Sequence, residues 1–173
     1  MGRGAILVAM WWTRGSAKTM TQSGAPAPSF SLTGLDGRKR SLEELTSQGP
    51  VVLAFFKISC PVCQLTMPFL ERLSSSSTLQ IVGISQDDES ATQHFNQRLG
   101  VTFPVLLDRS KEGYPASNAY GISSVPSLFV VEPDGRVSMS FNGFSKRDLE
   151  TVGERAGVRP FQASDNVPEW KAG

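Results

Sequence analysis

Residues 51–63 read VVLAFFKISCPVC, and this stretch is the starting point for predicting the fold. Its first six residues are all apolar and lack the alternation of a half-exposed strand, so they predict a strand buried on both faces. Two cysteines follow, separated by two residues, and a helical pattern begins there. The stretch therefore predicts a buried strand that leads into a cysteine pair at the start of a helix.

The cysteine pair is Cys60-Pro61-Val62-Cys63. At a helix start, unpaired backbone N–H groups and the positive end of the dipole favour a thiolate on the first cysteine. Pro61 fits the first helical position because its missing N–H would have no partner there. The second cysteine follows about one turn later, where it can attack a mixed disulfide. These positions predict Cys60 as nucleophile and Cys63 as resolving thiol, with Lys57 as a nearby cation.

Composition excludes several functional classes. The chain has 173 residues, with 17 Lys and Arg against 16 Asp and Glu, two cysteines and one histidine. Because there is no basic excess, a dedicated nucleic-acid binder is not expected. Two cysteines are too few for a disulfide scaffold or a four-cysteine zinc site. His94 is predicted on a surface helix without a partner ligand, so no metal site is predicted. No bound cofactor is expected either, because a cysteine pair takes its electrons from thiols.

Predicted strands and helices alternate along the rest of the chain, up to a final hairpin. This order predicts an α/β domain of three layers with a mixed central sheet. Residues 101–107 are apolar but contain Pro104, so they are predicted as a short extended piece rather than a central strand. Asp87 and Asp88 are together predicted to cap the helix that follows them, which ends at Gly100.

These motifs resemble those of a known superfamily. Residues 55–63, followed by Met67-Pro68, are similar to the active-site segment of the thioredoxin-like superfamily. Residues 121–127, GISSVPS, resemble the loop that carries a cis-proline in that superfamily. The lead-in at 25–32 and the insertion at 87–107 are typical of its redoxin branch, which includes TlpA/ResA-like and AhpC/TSA-type domains.

The resemblance implies a thioredoxin-like sandwich over residues 25–157, with an N-terminal hairpin extension and a central insertion. It implies a cis bond before Pro126, with Pro126 near Cys60. It also implies that the backbone of Val125 pairs with an extended substrate segment. The residues expected to support the cysteines are Pro61, Val62, Lys57 and Pro126.

The predicted function is that of a thiol–disulfide oxidoreductase. It would exchange electrons with a protein or small-molecule thiol or disulfide and take them from a thiol donor. One alternative is a thiol-dependent peroxidase, but Lys57 and Leu53 stand where the peroxiredoxin pattern has Thr or Ser and Pro. The other is a non-catalytic metal-binding or adaptor module.

Some relatives carry an acid in the buried strand. Here Ala54 stands in that strand, so proton transfer is left to water, Lys57 or another group.

The two ends of the chain differ from its middle. Residues 1–24 are predicted as a disordered leader whose apolar run at 5–12 is shorter than the roughly 20 residues that span a bilayer. This leader favours a cytoplasmic location, and export to the periplasm is the alternative. Residues 158–173 are predicted as a polar tail with a frayed end. A second hypothesis places a further redox residue beyond it.

Overall fold

The computed structural model describes residues 18–173, so the apolar run of the predicted leader lies outside the described part. The strands are β1 (Ser31–Gly34), β2 (Lys39–Ser41), β3 (Val51–Phe56), β4 (Gln80–Ser85), β5 (Val105–Leu107), β6 (Ser127–Val131), β7 (Val137–Asn142), β8 (Phe144–Ser145) and β9 (Trp170–Lys171). The helices are α1 (Leu42–Thr46), α2 (Pro61–Leu73), α3 (Glu89–Leu99), α4 (Pro115–Tyr120) and α5 (Lys146–Ala156), with a 3-10 turn at Ser110–Glu112. Within this part of the chain, no helix is long and apolar enough to cross a membrane.

Seven strands form one mixed sheet in the order β2-β1-β5-β4-β3-β6-β7. β3 pairs in parallel with β4, and β4 with β5, while the other neighbours are antiparallel. Parallel neighbours require a crossover connection, and α2 and α3 supply these two crossovers. The predicted three-layer α/β sandwich with a mixed central sheet is confirmed.

β3 divides its side chains between two hydrophobic cores. Ala54 and Phe56 pack on the face that carries α2, α3 and α5. Leu53 and Phe55 pack on the opposite face, which carries α1 and α4. All four side chains are at most 1% exposed. Because successive side chains of a strand point to opposite faces, a strand covered on both sides must be apolar throughout.

Short-range signals set the ends of several elements where the sequence predicts them. A capping box between Ser41 and Glu44 begins α1. Ser145 caps α5 by accepting a hydrogen bond from the Asp148 N–H, and Gly157 ends that helix in the left-handed conformation, with φ of 67°. Local capping chemistry thus fixed these boundaries without long-range information.

The prediction for residues 101–107 is wrong in one respect. β5 lies inside the sheet, between β1 and β4, rather than outside it. The strand begins at Val105, one residue after Pro104, so the proline contributes only its carbonyl, which accepts the Gly83 N–H at 2.9 Å. Proline has no N–H to donate to a strand ladder, but it is compatible with a central strand when it precedes the first residue of the ladder.

The described residues at the two ends of the chain, 18–24 and 158–173, both contact the domain. The Thr21 N–H donates to the Tyr120 carbonyl at 3.0 Å, so residues 18–24 differ from the predicted disordered leader. At the other end, β9 pairs antiparallel with β8, and the expectation of a frayed tail is wrong. The predicted boundaries of the domain at 25 and 157 stay predictions.

Candidate active site

The cysteine pair and the Val125-Pro126 loop meet at one edge of the sheet. β3 runs towards Cys60, and β6 starts just after Pro126 and runs antiparallel to β3, with Phe55 opposite Ser127. Antiparallel pairing therefore makes neighbours of two segments that are far apart in sequence. The Cys60 thiol donates a hydrogen bond to the Val125 carbonyl at 3.3 Å. The bond between Val125 and Pro126 is cis, as predicted.

Cys60 is the N-cap residue of α2. Its backbone is extended, with φ of −84° and ψ of 115°, and its Sγ accepts a hydrogen bond from the Cys63 N–H at 3.2 Å. Pro61 occupies the first helical position, as the sequence predicts. The sulfur therefore lies at the positive end of the helix dipole, where a developing negative charge is favoured. Cys60 is partly exposed, so a reactant can approach this residue from solvent.

Cys63 lies beneath it and is fully buried. Burial is the main cause that raises the pKa of the Cys63 thiol, and its hydrogen bond with Cys60 raises that pKa further. A hydrogen bond with the Lys57 backbone acts in the opposite direction. Val62 is also buried and packs in the same core. Both cysteines are free thiols here, one accessible and one protected.

The loop before Cys60 is held from both sides. The Cys60 N–H donates to the Lys57 carbonyl at 3.2 Å. The Asp87 carboxylate accepts the Ile58 N–H at 2.8 Å, and the Gln64 side-chain amide donates to the Ile58 carbonyl at 3.0 Å. These bonds satisfy both backbone groups of Ile58, so the loop that presents the nucleophile is fixed.

Sequence reasoning missed the role of Asp87. It was predicted as a cap of α3 together with Asp88, but Asp88 alone is the N-cap and accepts the Ala91 N–H at 2.8 Å. A helix has one N-cap residue, so two consecutive acids before α3 leave one carboxylate free for another partner. That duplication is the signal by which the contact could have been anticipated.

Lys57 contacts the cysteine pair through its backbone. Lys57 also lines a cavity with Asp87, Arg109 and Tyr114, on the side where α3 begins. His94 is exposed on α3. Among residues 18–173, no group of three His, Cys, Asp or Glu side chains is arranged to hold a metal ion.

Comparison with known proteins identifies the family. A family model described as the AhpC/TSA family matches residues 23–140. The chain is 29% identical over 138 residues to the thiol-disulfide oxidoreductase ResA of Geobacillus thermodenitrificans (strain NG80-2), covering 77% of each protein. It is 31% identical over 124 residues to the ResA of Bacillus thuringiensis (strain Al Hakam), covering 69% of each.

A solved structure shows the same fold. The thioredoxin domain of a thiol-disulfide oxidoreductase from Bacteroides vulgatus superposes with a TM-score of 0.69 at 20% identity, covering 79% of this chain and 98% of that one. The predicted thioredoxin-like fold and the predicted class of enzyme, a thiol–disulfide oxidoreductase, are both confirmed. The roles of individual residues stay predictions. On these matches, the chain belongs to the AhpC/TSA family.

Proposed function

We propose that Cys60 attacks the substrate and that Cys63 resolves the resulting mixed disulfide. The observation that carries this assignment is the contrast between a partly exposed Cys60 at the helix N-cap and a Cys63 that is 0% exposed. A substrate sulfur must reach the attacking sulfur directly, and Cys60 offers that access. The raised pKa of Cys63 disfavours its thiolate, which supports Cys60 as the sulfur that attacks first.

The proposed reduction of a disulfide proceeds in two exchanges. The Cys60 thiolate attacks one substrate sulfur, the substrate S–S bond breaks, and the released thiolate takes a proton from water. Cys63 then loses its proton to water and attacks Cys60 Sγ, which releases the second substrate thiol. Two electrons have moved to the substrate, and the chain holds a Cys60–Cys63 disulfide. A thiol donor restores both cysteines by the reverse sequence of exchanges.

The loop at Val125 and Pro126 is the proposed contact surface for the substrate. Its Val125 carbonyl lies within hydrogen-bond distance of the Cys60 sulfur, so a disulfide in line with Cys60 also lies beside this backbone. Backbone groups at such an edge recognise an extended segment irrespective of its side chains. The substrate is accordingly a protein or small-molecule disulfide. The comparisons give the expected cytoplasmic location no support, and export stays its alternative.

Asp87 and Gln64 are proposed as positioning residues. They bind the two backbone groups of Ile58, and neither is proposed to touch the substrate. Proton transfer from Cys63 falls to water, because β3 itself carries no ionisable side chain.

The decisive experiment compares two single substitutions in the presence of glutathione disulfide. Cys63→Ser is expected to accumulate one glutathione per chain, joined to Cys60 and released by a reductant, because the resolving thiol is absent. Intact mass and peptide mapping identify the adduct.

Cys60→Ser is the matched control, since it also leaves a single cysteine. It is expected to form the adduct much more slowly than Cys63→Ser, because Cys63 is buried. Equal labelling of the two variants would contradict the assigned roles, and full turnover by Cys63→Ser would contradict the two-cysteine mechanism.

A further inference from the structure

The tail, defined as residues 158–173, is fastened along the surface of α2 and β8. Arg72 of α2 forms a two-pronged ion pair with Asp165, with N–O distances of 2.5 and 3.2 Å, and donates to the Pro160 carbonyl at 2.9 Å. The Phe161 ring lies 4.7 Å from that of Phe69 and 6.0 Å from that of Phe144, between ring centroids. These contacts fix the path of the tail towards the active-site edge.

The last part of the tail is extended and paired. Lys171 lies opposite Phe144 in the β8–β9 ladder. The Lys146 N–H donates to the Glu169 carbonyl at 3.0 Å, and the two side chains form an ion pair at 3.2 Å. β8 directly follows β7, which ends beside β6 and the Val125-Pro126 loop. Pairing with β8 therefore carries the end of the tail to that loop.

At its end the tail meets the loop backbone to backbone. A Cβ built on Gly173 would overlap the Val125 oxygen, and one built on Gly143 would overlap the Lys171 oxygen. Only glycine is compatible with such approaches, because real Cβ atoms do not come this close to backbone oxygens. The Val125 carbonyl is the same group that accepts a hydrogen bond from the Cys60 thiol, so residue 173 lies beside the contact partner of the reactive sulfur.

We propose that residues 170–173 determine which substrates reach Cys60, by covering the Val125 backbone while leaving Cys60 partly exposed. This inference rests on the proposed roles of Cys60 and of the Val125-Pro126 loop. An extended polypeptide needs a free backbone edge on which to align. A small disulfide needs only access to the sulfur. The chain with its tail seated is thus selective for small disulfides, and a polypeptide reacts only after the tail is displaced.

The test removes residues 170–173 and keeps Phe161, Asp165 and Glu169, so most of the tail's anchoring contacts are preserved. Exchange is measured with insulin as the polypeptide disulfide and with bis(2-hydroxyethyl) disulfide as the small one. If the tail is seated in roughly nine molecules of ten, kcat/KM for insulin rises about tenfold on truncation. The value for the small disulfide changes by less than about twofold.

Two outcomes would overturn the proposal: an equal change for both substrates, or a lower rate with insulin, which would make the tail part of the polypeptide site. If truncation impairs folding, Gly173→Ala in the full chain supplies the same test, because its Cβ collides with the Val125 carbonyl. Gly173→Ala is expected to raise the insulin rate alone, and Ala163→Ser, at an exposed position of the tail outside residues 170–173, to change neither rate. An unchanged substrate ratio in Gly173→Ala would also overturn it.

Failure of the tail proposal is distinguishable from failure of the proposed function. Cys60→Ser in the truncated chain is expected to lose exchange with both substrates. Retained exchange in that variant would refute the role of Cys60, whatever the tail does. Loss of exchange together with an unchanged substrate ratio on truncation would refute only the selectivity of the tail.

Discussion

Cys60 and Gly173 approach the carbonyl of Val125 from two regions that are held in very different ways. Cys60 follows β3, whose six side chains are at most 1% exposed and pack into two cores. Gly173 ends the tail, in which Pro160 alone is buried. The tail is instead held by a partly exposed ion pair, the Phe161 ring and a two-residue strand pairing.

The difference separates reactivity from access. Moving Cys60 requires disruption of a close-packed core, in which the loss of even a few methylene groups is strongly destabilising. Moving the tail requires the loss of surface contacts, and an exposed ion pair contributes only about 0–1 kcal/mol. Cys60 is therefore rigidly positioned, whereas the end of the tail beside Val125 can be displaced at a lower cost in free energy. The predictions below test this separation, from the largest effect to the smallest.

Replacing the nucleophile has the largest expected effect. Cys60→Ser is expected to reduce exchange with both small and polypeptide disulfides to the uncatalysed background, because a serine hydroxyl does not ionise near neutral pH. An unfolding midpoint in urea equal to that of the reduced wild type would show that the variant is folded and that the loss of activity is chemical. Residual catalysis with one class of substrate would mean that reactivity and access are not separate.

Substitution of one phenylalanine in each region compares how much the core and the tail contribute to the free energy of unfolding. Phe55→Ala removes a ring that is 0% exposed and packs on Tyr120 and Phe129, and is expected to lower the free energy of unfolding by about 3–5 kcal/mol. Phe161→Ala removes a partly exposed ring from the tail and is expected to lower it by about 1–2 kcal/mol. Urea denaturation measures both values.

Phe161→Ala has a second expected effect, a rise in insulin exchange relative to exchange with the small disulfide, because it loosens the tail. Equal losses of stability in the two variants would show that the tail is as firmly integrated as the core. That result would contradict the contrast drawn between them.

The smallest predicted effect concerns the charge of Asp87. Burial first, then the hydrogen bond with Cys60, raise the pKa of the Cys63 thiol, and the negative charge of Asp87 raises it further. Asp87→Asn keeps an oxygen to accept the Ile58 N–H but removes the charge, so the pKa of Cys63 falls. More thiolate at pH 7 then speeds resolution, by roughly threefold for each unit by which that pKa falls, after allowance for weaker nucleophilicity.

The measurement is the pH dependence of the resolution step by stopped flow, and the profile of Asp87→Asn is expected to shift to lower pH. Asp87→Ala also loses the bond to Ile58 and is expected to slow the first step, which Asp87→Asn spares. Asp88→Asn, which alters the neighbouring acid that caps α3, is the matched control. A profile that is identical in Asp87→Asn and the wild type would refute the effect of the Asp87 charge on the Cys63 thiol.

The candidate site was predictable as far as its signals were local. The cysteine pair, its place at a helix start and the Val125-Pro126 loop are short motifs, and the fold brings them together as expected. The contact between Asp87 and Ile58 was not predictable, because it depends on the parallel pairing of β3 with β4. Lys57 was expected to act through its cation, but its backbone makes the contacts with the cysteines.

Sequence alone was enough for β3 and the start of α2, since apolar runs, caps and prolines act within a few residues. Only the folded chain revealed that β5 lies inside the sheet, because whether Pro104 disturbs a ladder depends on which strand meets its carbonyl. Only the folded chain brought Gly173 to Val125. That approach rests on contacts of the tail with Arg72 and Phe69, which are distant in sequence, and non-local packing of this kind leaves no periodic pattern to read.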